Sequence, residues 1–327
     1  MKAAVIGVGS MGNNHARLLM QMGSVELVGI VDHDFQRAGQ VADRHGTTAY
    51  KDISTMLRAA KPDAVVISVP TVAHFAAAGE VIRAGVHVLI EKPIASTLEE
   101  ADQLIELADT HNVCLSVGHV ERFNPAVVEL RKRLDDGELG ATFHIETRRR
   151  GPFPKHVLDV GVALDLTVHD LDLIRFIAGS NIVEMQKIHA RRIHTHHEDF
   201  VRAQIEMDNG VFASLAIDWL TPTKIRDLSV TGEKGMFRVD LLTQDLTFYE
   251  NIEATTSSWD QMSALRGVNE GRVIKHVIQK SEPLAIELTS FFDSIKSGKP
   301  PLVTGDDGRA ALAHAQSLAM PKAGTPV

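Results

Sequence analysis

The sequence predicts an α/β protein in two parts: a doubly wound parallel sheet over the first 120 or so residues, then a second α/β domain with a large, mostly antiparallel open sheet. Three observations carry this expectation. Short apolar runs alternate with helically spaced segments up to about residue 120. Beyond residue 121 the pattern becomes two helical stretches followed by alternating runs that end in turn residues. The length, 327 residues, exceeds what one hydrophobic core usually serves.

In chain order, KAAVIGV (2–8), VELVGIVD (25–32), DAVVISVP (63–70), VHVLIEKP (86–93) and VCLSVGHV (113–120) predict strands, with TTAY (47–50) a weaker one. Helices are expected near 11–22, 35–45, 52–60, 73–84 and 97–111. Parallel strands need crossover connections, and helices alternating with strands supply them on both faces. FNPAVVELRKRLDDG (123–137) and VALDLTVHDLDLIRFIAG (162–179) predict two further helices. QIEMDNG, VFASLAIDWL, KIRDLSVTGEKG, MFRVDLL and LTFYE follow as strands, and Asn209-Gly210 predicts a hairpin turn. GDDGRAALAHAQSLA (305–319) predicts a last helix, and PKAGTPV a loose end. The expected division is 1–121, 122–304, and a tail 305–327 that packs back on the first domain.

Apolar residues at 44% and charged residues at 23% are ordinary for a globular chain, which directs attention to motifs. A net charge of -8 opposes binding to a polyphosphate backbone, so no nucleic-acid partner is expected. The single cysteine, Cys114, excludes an intrachain disulfide, fits a reducing compartment and reads as a small core residue. The opening MKAAVIGVG breaks at glycine without a cleavage pattern, and no span reaches transmembrane length; no membrane partner and a cytoplasmic location are the expectation.

Gly7, Gly9 and Gly12 form G-x-G-x-x-G between the first strand and a helix, with Ser10 and Met11 inside the motif. The glycines allow a tight turn and a close approach of a pyrophosphate to the helix N-terminus. Asp32 ends the second strand, 20 residues after Gly12, where a carboxylate accepts from ribose hydroxyls and repels a 2′-phosphate. NAD is therefore favoured over NADP. Glu91, Lys92 and Pro93 follow directly on an apolar strand, at the carboxyl end where open α/β sheets bind ligands. Proline restricts the backbone of Lys92 and so sets its direction. Asp165 and His169, four apart on a helix, share a face, with Asp172 three further on; an imidazole oriented by a carboxylate is a proton acceptor near neutral pH.

GVGSMGNNH (7–15), SVPTVAH (68–74), EKP (91–93) and the Asp165, His169 pair together resemble the glucose-fructose oxidoreductase, inositol dehydrogenase and rhizopine-catabolism family, over essentially the whole chain. The resemblance implies a Rossmann domain, a C-terminal sheet that supports subunit contacts, and hydride transfer between NAD(P) and a sugar-like hydroxyl. It implies a cis peptide after Lys92 and catalytic roles for Lys92, Asp165 and His169. It also adds Ser68, Pro70, His74, Glu91 and Lys92 to Gly7, Gly9, Ser10, Met11, Gly12 and Asp32 as cofactor-binding residues. Within the family, GHVERFNPAV (118–127) and GPFPKHVLDVGVALDLTVHDLD (151–172) are similar to members that oxidise the C3 hydroxyl of UDP-N-acetylglucosamine. Those members supply a 3-keto sugar nucleotide to an aminotransferase, on the route to a 2,3-diamino sugar of lipid A. Thr167 departs from the glycine frequent between the paired residues and would crowd or hydrogen-bond a substrate.

Oxidation of a hydroxyl needs a base and a cation at its oxygen. His169 is assigned as base, Lys92 as the group stabilising the alkoxide, and Asp165 as the orienting carboxylate; a Lys92 base with His169 positioning the substrate is the alternative. For a UDP-sugar, Arg122, Arg149, Lys155 and His156 are candidates for its charged part, Asn124 for a sugar or amide contact, and Glu121 for a pairing or substrate role. His194, His196, His197 and Glu198 alternate along a polar run, so no metal is expected. Trp219, Lys224 and Arg226 read as an oligomer face or core edge, and an exposed sheet predicts a homodimer or homotetramer. The rival readings are a dehydrogenase of a free polyol or aldose such as inositol, and an NAD-sensing protein without chemistry.

Overall fold

The structure is a computed structural model that describes residues 1–154, 161–193, 196–251 and 270–319. The chain divides into two units: Met1–Val120 with Glu282–His314, and Glu121–Ser281 with Ala315–Val327.

In the first unit, β1 (Lys2–Ile6), α1 (Ser10–Gln21), β2 (Glu26–Val31), α2 (Phe35–His45), β3 (Ala49–Tyr50), α3 (Ile53–Ala60), β4 (Ala64–Ile67), α4 (His74–Arg83), β5 (His87–Glu91), α5 (Leu98–His111) and β6 (Leu115–Gly118) follow one another. The six strands form one parallel sheet in the order β3-β2-β1-β4-β5-β6. The order reverses between β1 and β4, which is where such sheets bind ligands at their carboxyl ends. Val65, Val66, Val88, Leu89 and Ile90 are buried because helices cover both faces, which explains continuous apolar runs in place of alternation. Local signals start and stop the helices: the Asp34, Asp52 and Thr97 side chains cap α2, α3 and α5, and Gly46 ends α2 in a left-handed conformation.

The second unit opens with α6 (Pro125–Asp135), capped by Asn124, and β7 (Thr142–Pro152). A five-residue π-helical turn, Ala163–Thr167, runs into α7 (Val168–Ala178). Then come β8 (Ile182–Ala190), β9 (Phe200–Met207), β10 (Phe212–Asp218), β11 (Leu220–Gly232), β12 (Gly235–Asp240), β13 (Asp245–Asn251) and β14 (Glu270–His276). The eight strands pair in the order β14-β13-β12-β11-β7-β10-β9-β8; all pairs are antiparallel except β7 with β10. Asn209 and Gly210 turn β9 into β10, as their sequence predicts, with Gly210 at φ 81°. One face of the sheet is covered by α7 packed on β7, burying Ile145, Leu215, Leu228, Leu171 and Ile174.

The last helices are α8 (Pro283–Ser297) and α9 (Gly305–Leu318). The stretch 282–304 was expected in the second domain, whereas the structure groups it with the first unit. The physical reason is α8, whose Leu284, Leu288, Phe291 and Phe292 join an apolar cluster with Val5, Leu19, Ile30 and Leu89. Gly305 and Gly308 of α9 lie against Ile105, Leu115 and Val117, where a Cβ would meet side-chain carbons at 2.7–2.8 Å.

Candidate active site

The glycine-rich turn has the geometry its sequence implies. Gly7 sits at φ 85°, and a Cβ there would stand 2.6 Å from the Ser68 carbonyl oxygen. At Gly12 a Cβ would lie 1.8 Å from the Gly7 oxygen, so that glycine serves the close packing of turn on helix. A Cβ at Gly9 would meet nothing within 4 Å, which leaves the side from which a pyrophosphate approaches open. Ser10 and Met11 begin α1 on the exposed side of the turn. Asp32, at the end of β2, is buried; its carboxylate accepts from the Val8 amide at 2.8 Å and from the Asp34 amide at 2.9 Å. Each carboxylate oxygen takes two bonds, so ribose hydroxyls would add to these amides without displacing them. His33 Nδ1 lies 3.0 Å from the same carboxylate.

At the end of β5 the Lys92–Pro93 peptide is cis, as the resemblance implies. Glu91 accepts from, or donates to, His15 Nε2 on α1 at 2.7 Å, and the Lys92 amide lies 3.3 Å from its other oxygen. Burial pushes the Glu91 carboxyl up, but the His15 hydrogen bond and the nearby charges of His15 and Lys92 outweigh it and hold it below the usual carboxylate range. His74 is buried with its ring nitrogens 2.8 Å from the Pro93 oxygen and 2.9 Å from the Val69 oxygen. Its two ring nitrogens are thus engaged by backbone, so His74 ties the Ser68–Pro70 loop to the Lys92–Pro93 loop. Ser68 directly follows β4, and Pro70 is exposed before a short 3₁₀ turn.

In the second unit Asp165 and His169 are partly accessible, whereas Ala163, Thr167, Val168 and Asp170 around them are buried. Asp165 occupies the π-helical turn and His169 the first turn of α7; such turns recur at functional sites. Thr167 faces inward and its hydroxyl donates to the Ala163 carbonyl, which corrects the expectation that it meets substrate. Glu198 holds the entry to the turn: its Oε1 accepts from the Ala163 amide at 3.1 Å, and the Val162 amide donates to its backbone oxygen at 2.9 Å. Gly161 leaves room for that carboxylate, since a Cβ there would stand 2.2 Å from Glu198 Oε1. Sequence reading weighed Glu198 only as a metal ligand.

The arginines nominated for a substrate anion lie elsewhere. Arg149 is 1% exposed, with Nε 2.6 Å from Asp170 Oδ2 and Nη2 2.9 Å from Glu121. Burial pushes Asp170 up against the pull of the guanidinium, while Arg149, facing two carboxylates, stays charged. Arg122 is also buried, forked onto both oxygens of Asp172 at 2.8 and 2.6 Å. Arg122 and Arg149 are thus buried in ion pairs, while Glu121 is partly accessible beside Arg149. Asn124 is buried too; it caps α6 through the Ala126 amide and donates to the Leu241 oxygen. Lys155, His156 and His194 lie outside the described residues. Among the described residues no three metal-ligating side chains form a group.

Arg226 is the cation that sequence reading placed at a face or edge. It pairs across the ladder with Arg149, so the two side chains share a sheet face. Burial and the Arg149 charge lower its pKa, against Glu121, Asp170 and Asp165. Among the described residues its guanidinium has no ion pair within 4 Å, unlike Arg149. The alternation of Arg148, Arg149 and Arg150 along β7 was the available clue, since only Arg149 and its cross-strand partner point to the α7 side. Arg148 bonds Asp227, whose neighbour Arg226 faces the other way.

Residues 1–119 match an oxidoreductase family with an NAD-binding Rossmann fold, GFO_IDH_MocA, and residues 127–238 match the GFO/IDH/MocA C-terminal domain. UDP-N-acetylglucosamine 3-dehydrogenase of Acidithiobacillus ferrooxidans is 32% identical over 315 residues, 96% of this chain and 95% of that one. Its solved structure has a TM-score of 0.85 at 31% identity, covering 97% and 96% of the two chains. Myo-inositol 2-dehydrogenase of Thermotoga maritima is 27% identical over 95% of this chain and 93% of that one. The chain therefore belongs to the GFO/IDH/MocA family of oxidoreductases, an enzyme whose first unit is an NAD-binding Rossmann domain.

Proposed function

We propose that the enzyme oxidises the C3 hydroxyl of UDP-N-acetylglucosamine with NAD, giving the 3-keto sugar nucleotide. The observation that carries this reading is the 32% identity to UDP-N-acetylglucosamine 3-dehydrogenase over nearly the full length of both chains. NAD supplies the hydride acceptor. His169 takes the hydroxyl proton, Lys92 stabilises the alkoxide as charge develops, and Asp165 orients the imidazole or holds a neighbouring hydroxyl. With Arg122 and Arg149 engaged by buried carboxylates, Arg226 is the described cation best suited to an anionic or polar substrate group near Asp165. Asp32, and the absence of a basic residue directly after it other than His33, support NAD over NADP.

The product, a ketone on a sugar nucleotide, suits an aminotransferase as the next enzyme, on the route to a 2,3-diamino sugar of lipid A. The eight-stranded sheet suits pairing of copies into a homodimer or homotetramer, with exposed Val183, Ile188 and Phe212 on its strands. No described helix is long and apolar enough to cross a membrane, and the single cysteine, with its thiol pushed by burial to about 11, suits a reducing cytoplasm. A second reading, oxidation of a free polyol such as inositol, is favoured by the inositol dehydrogenases at 27% identity over similar lengths. The test is purified enzyme with NAD, a ketone trap, and UDP-N-acetylglucosamine beside UDP-glucose, glucose and inositol. Turnover confined to UDP-N-acetylglucosamine, with strong inhibition by UDP, is expected; turnover of inositol alone would overturn the reading.

A further inference from the structure

Helix α8 presents Leu284, Glu287, Leu288 and Phe291 at the i, i+3, i+4, i+7 spacing of a core-facing stripe. The three apolar members join the first unit's apolar cluster. Glu287 is 1% exposed, and neither of its carboxyl oxygens has a hydrogen-bond partner among the described residues. Helix α1, which packs on α8, presents a matching stripe of Gly12, His15, Ala16 and Leu19. His15, 0% exposed, bonds Glu91 beside Lys92. Burial, and then the charge of Glu91, push the Glu287 carboxyl well above the usual range. A carboxylate with neither cation nor donor is costly in such a place, so Glu287 holds a proton. A leucine would fill the stripe at lower cost, and an acid kept against stability marks a functional demand.

We propose that Glu287 is a positioning residue for the chemistry at Lys92, forming with Glu91 a carboxylate pair in which Glu287 keeps the proton and Glu91 the charge. The proposal rests on the catalytic reading of Lys92. The other ionisable groups on the surrounding elements are His15 and Arg17 on α1, His87 on β5, Lys92 after it, Cys114 before β6, His119 after that strand, and, on α8, Asp293, Lys296 and, at its start, Glu282, which pairs with Arg17. Glu91, bonded to His15 on the face of α1 that carries the matching stripe, adds its charge to burial in raising the Glu287 carboxyl. A second carboxylate charge would tighten the hold on the Lys92 proton and offset the lysine's field at a developing alkoxide. Turnover therefore falls as Glu287 ionises, whichever of Lys92 and His169 is the base.

The test compares the wild-type enzyme with Glu287→Gln and Glu287→Leu in two ways. Thermal unfolding is followed from about pH 5 to pH 9. A carboxyl whose folded pKa is raised binds more protons folded than unfolded, so wild-type stability declines with rising pH above the unfolded value of about 4.3 until the folded value is passed. Both variants are expected to lack that decline, and parallel slopes in all three proteins would overturn the proposal. The second measurement is the pH profile of kcat with NAD and whichever sugar the enzyme turns over. The alkaline fall in Glu287→Gln is expected roughly one pH unit above that of the wild type, with KM unchanged; superimposed profiles would overturn the proposal. Absence of turnover with every sugar would instead overturn the reading of Lys92, with the unfolding slopes still deciding whether Glu287 carries its proton.

Discussion

Each unit buries a group of carboxylates, and the two groups are built on opposite terms. In the second unit Arg149 faces Asp170 and Glu121, and Arg122 is forked onto Asp172, so every one of these carboxylates meets a guanidinium. In the first unit Glu91 has His15, but Glu287 has no hydrogen-bond partner among the described residues. The difference teaches that burial of charge has two uses. A closed ion pair fixes one arrangement of α7 on the sheet, and removing one member leaves an uncompensated charge. An unpartnered acid fixes nothing, lowers stability, and remains free to change its protonation.

The largest expected effect breaks the closed pair. Asp170→Ala leaves the buried Arg149 with Glu121 alone and is expected to cost about 3 kcal/mol, read as a lower denaturant midpoint with little change in slope. Loss of less than about 1 kcal/mol would show that the pair is relieved by solvent. Next, His169→Ala at saturating substrate is expected to lower kcat on the order of a hundredfold, about 2.7 kcal/mol, with the unfolding midpoint unchanged; nearly full turnover would move the role of base to Lys92. Glu198→Ala sharpens the contrast within the second unit, because its carboxylate caps the turn at the Ala163 amide. It is expected to cost about 1 kcal/mol of stability and also to slow turnover, since the turn carrying Asp165 loses its anchor. A variant that lost stability alone would make Glu198 purely structural. The smallest effect has the reverse sign: Glu287→Leu is expected to raise stability by about 0.5–1 kcal/mol.

The two carboxyls of the first unit also respond to pH in opposite senses. Glu91, held below the usual range, contributes stability that is present above its unfolded pKa and disappears as pH falls through the lower folded value. Glu287 withdraws stability as pH rises from its unfolded value toward the raised folded one. In unfolding scans, His15→Ala is expected to remove much of the acid-side slope and leave the alkaline side intact.

Much of the first unit was legible because its signals are local. Gly7, Gly9 and Gly12 are dictated by backbone sterics, and the buried parallel strands announce themselves as apolar runs. The second unit yielded less. β7 was not predicted as a strand, since TFHIETRRRGP carries three successive arginines, and their alternation across two faces makes sense only once Asp170 and Asp227 stand opposite. β8, with most side chains exposed, lacks the periodicity that reveals a half-buried strand. The ion pairs of Arg122 and Arg149 were hidden for the same reason: their partners lie 50 and 21 residues away, and spacing along the chain carries no record of that pairing. Asp165 and His169 can be proposed as a pair from sequence because four residues on a helix bring two side chains to one face, a relation the sequence does record.

The most direct test of the central claim follows the hydride itself. UDP-N-acetylglucosamine carrying deuterium at C3 is incubated with the enzyme and NAD, with the ketone trapped, and the NADH formed is weighed by mass spectrometry. The account predicts that NADH is one mass unit heavier and that the labelled sugar reacts several-fold more slowly in a chemistry-limited assay. Unlabelled NADH, or deuterium retained in the oxidised sugar, would contradict oxidation at C3.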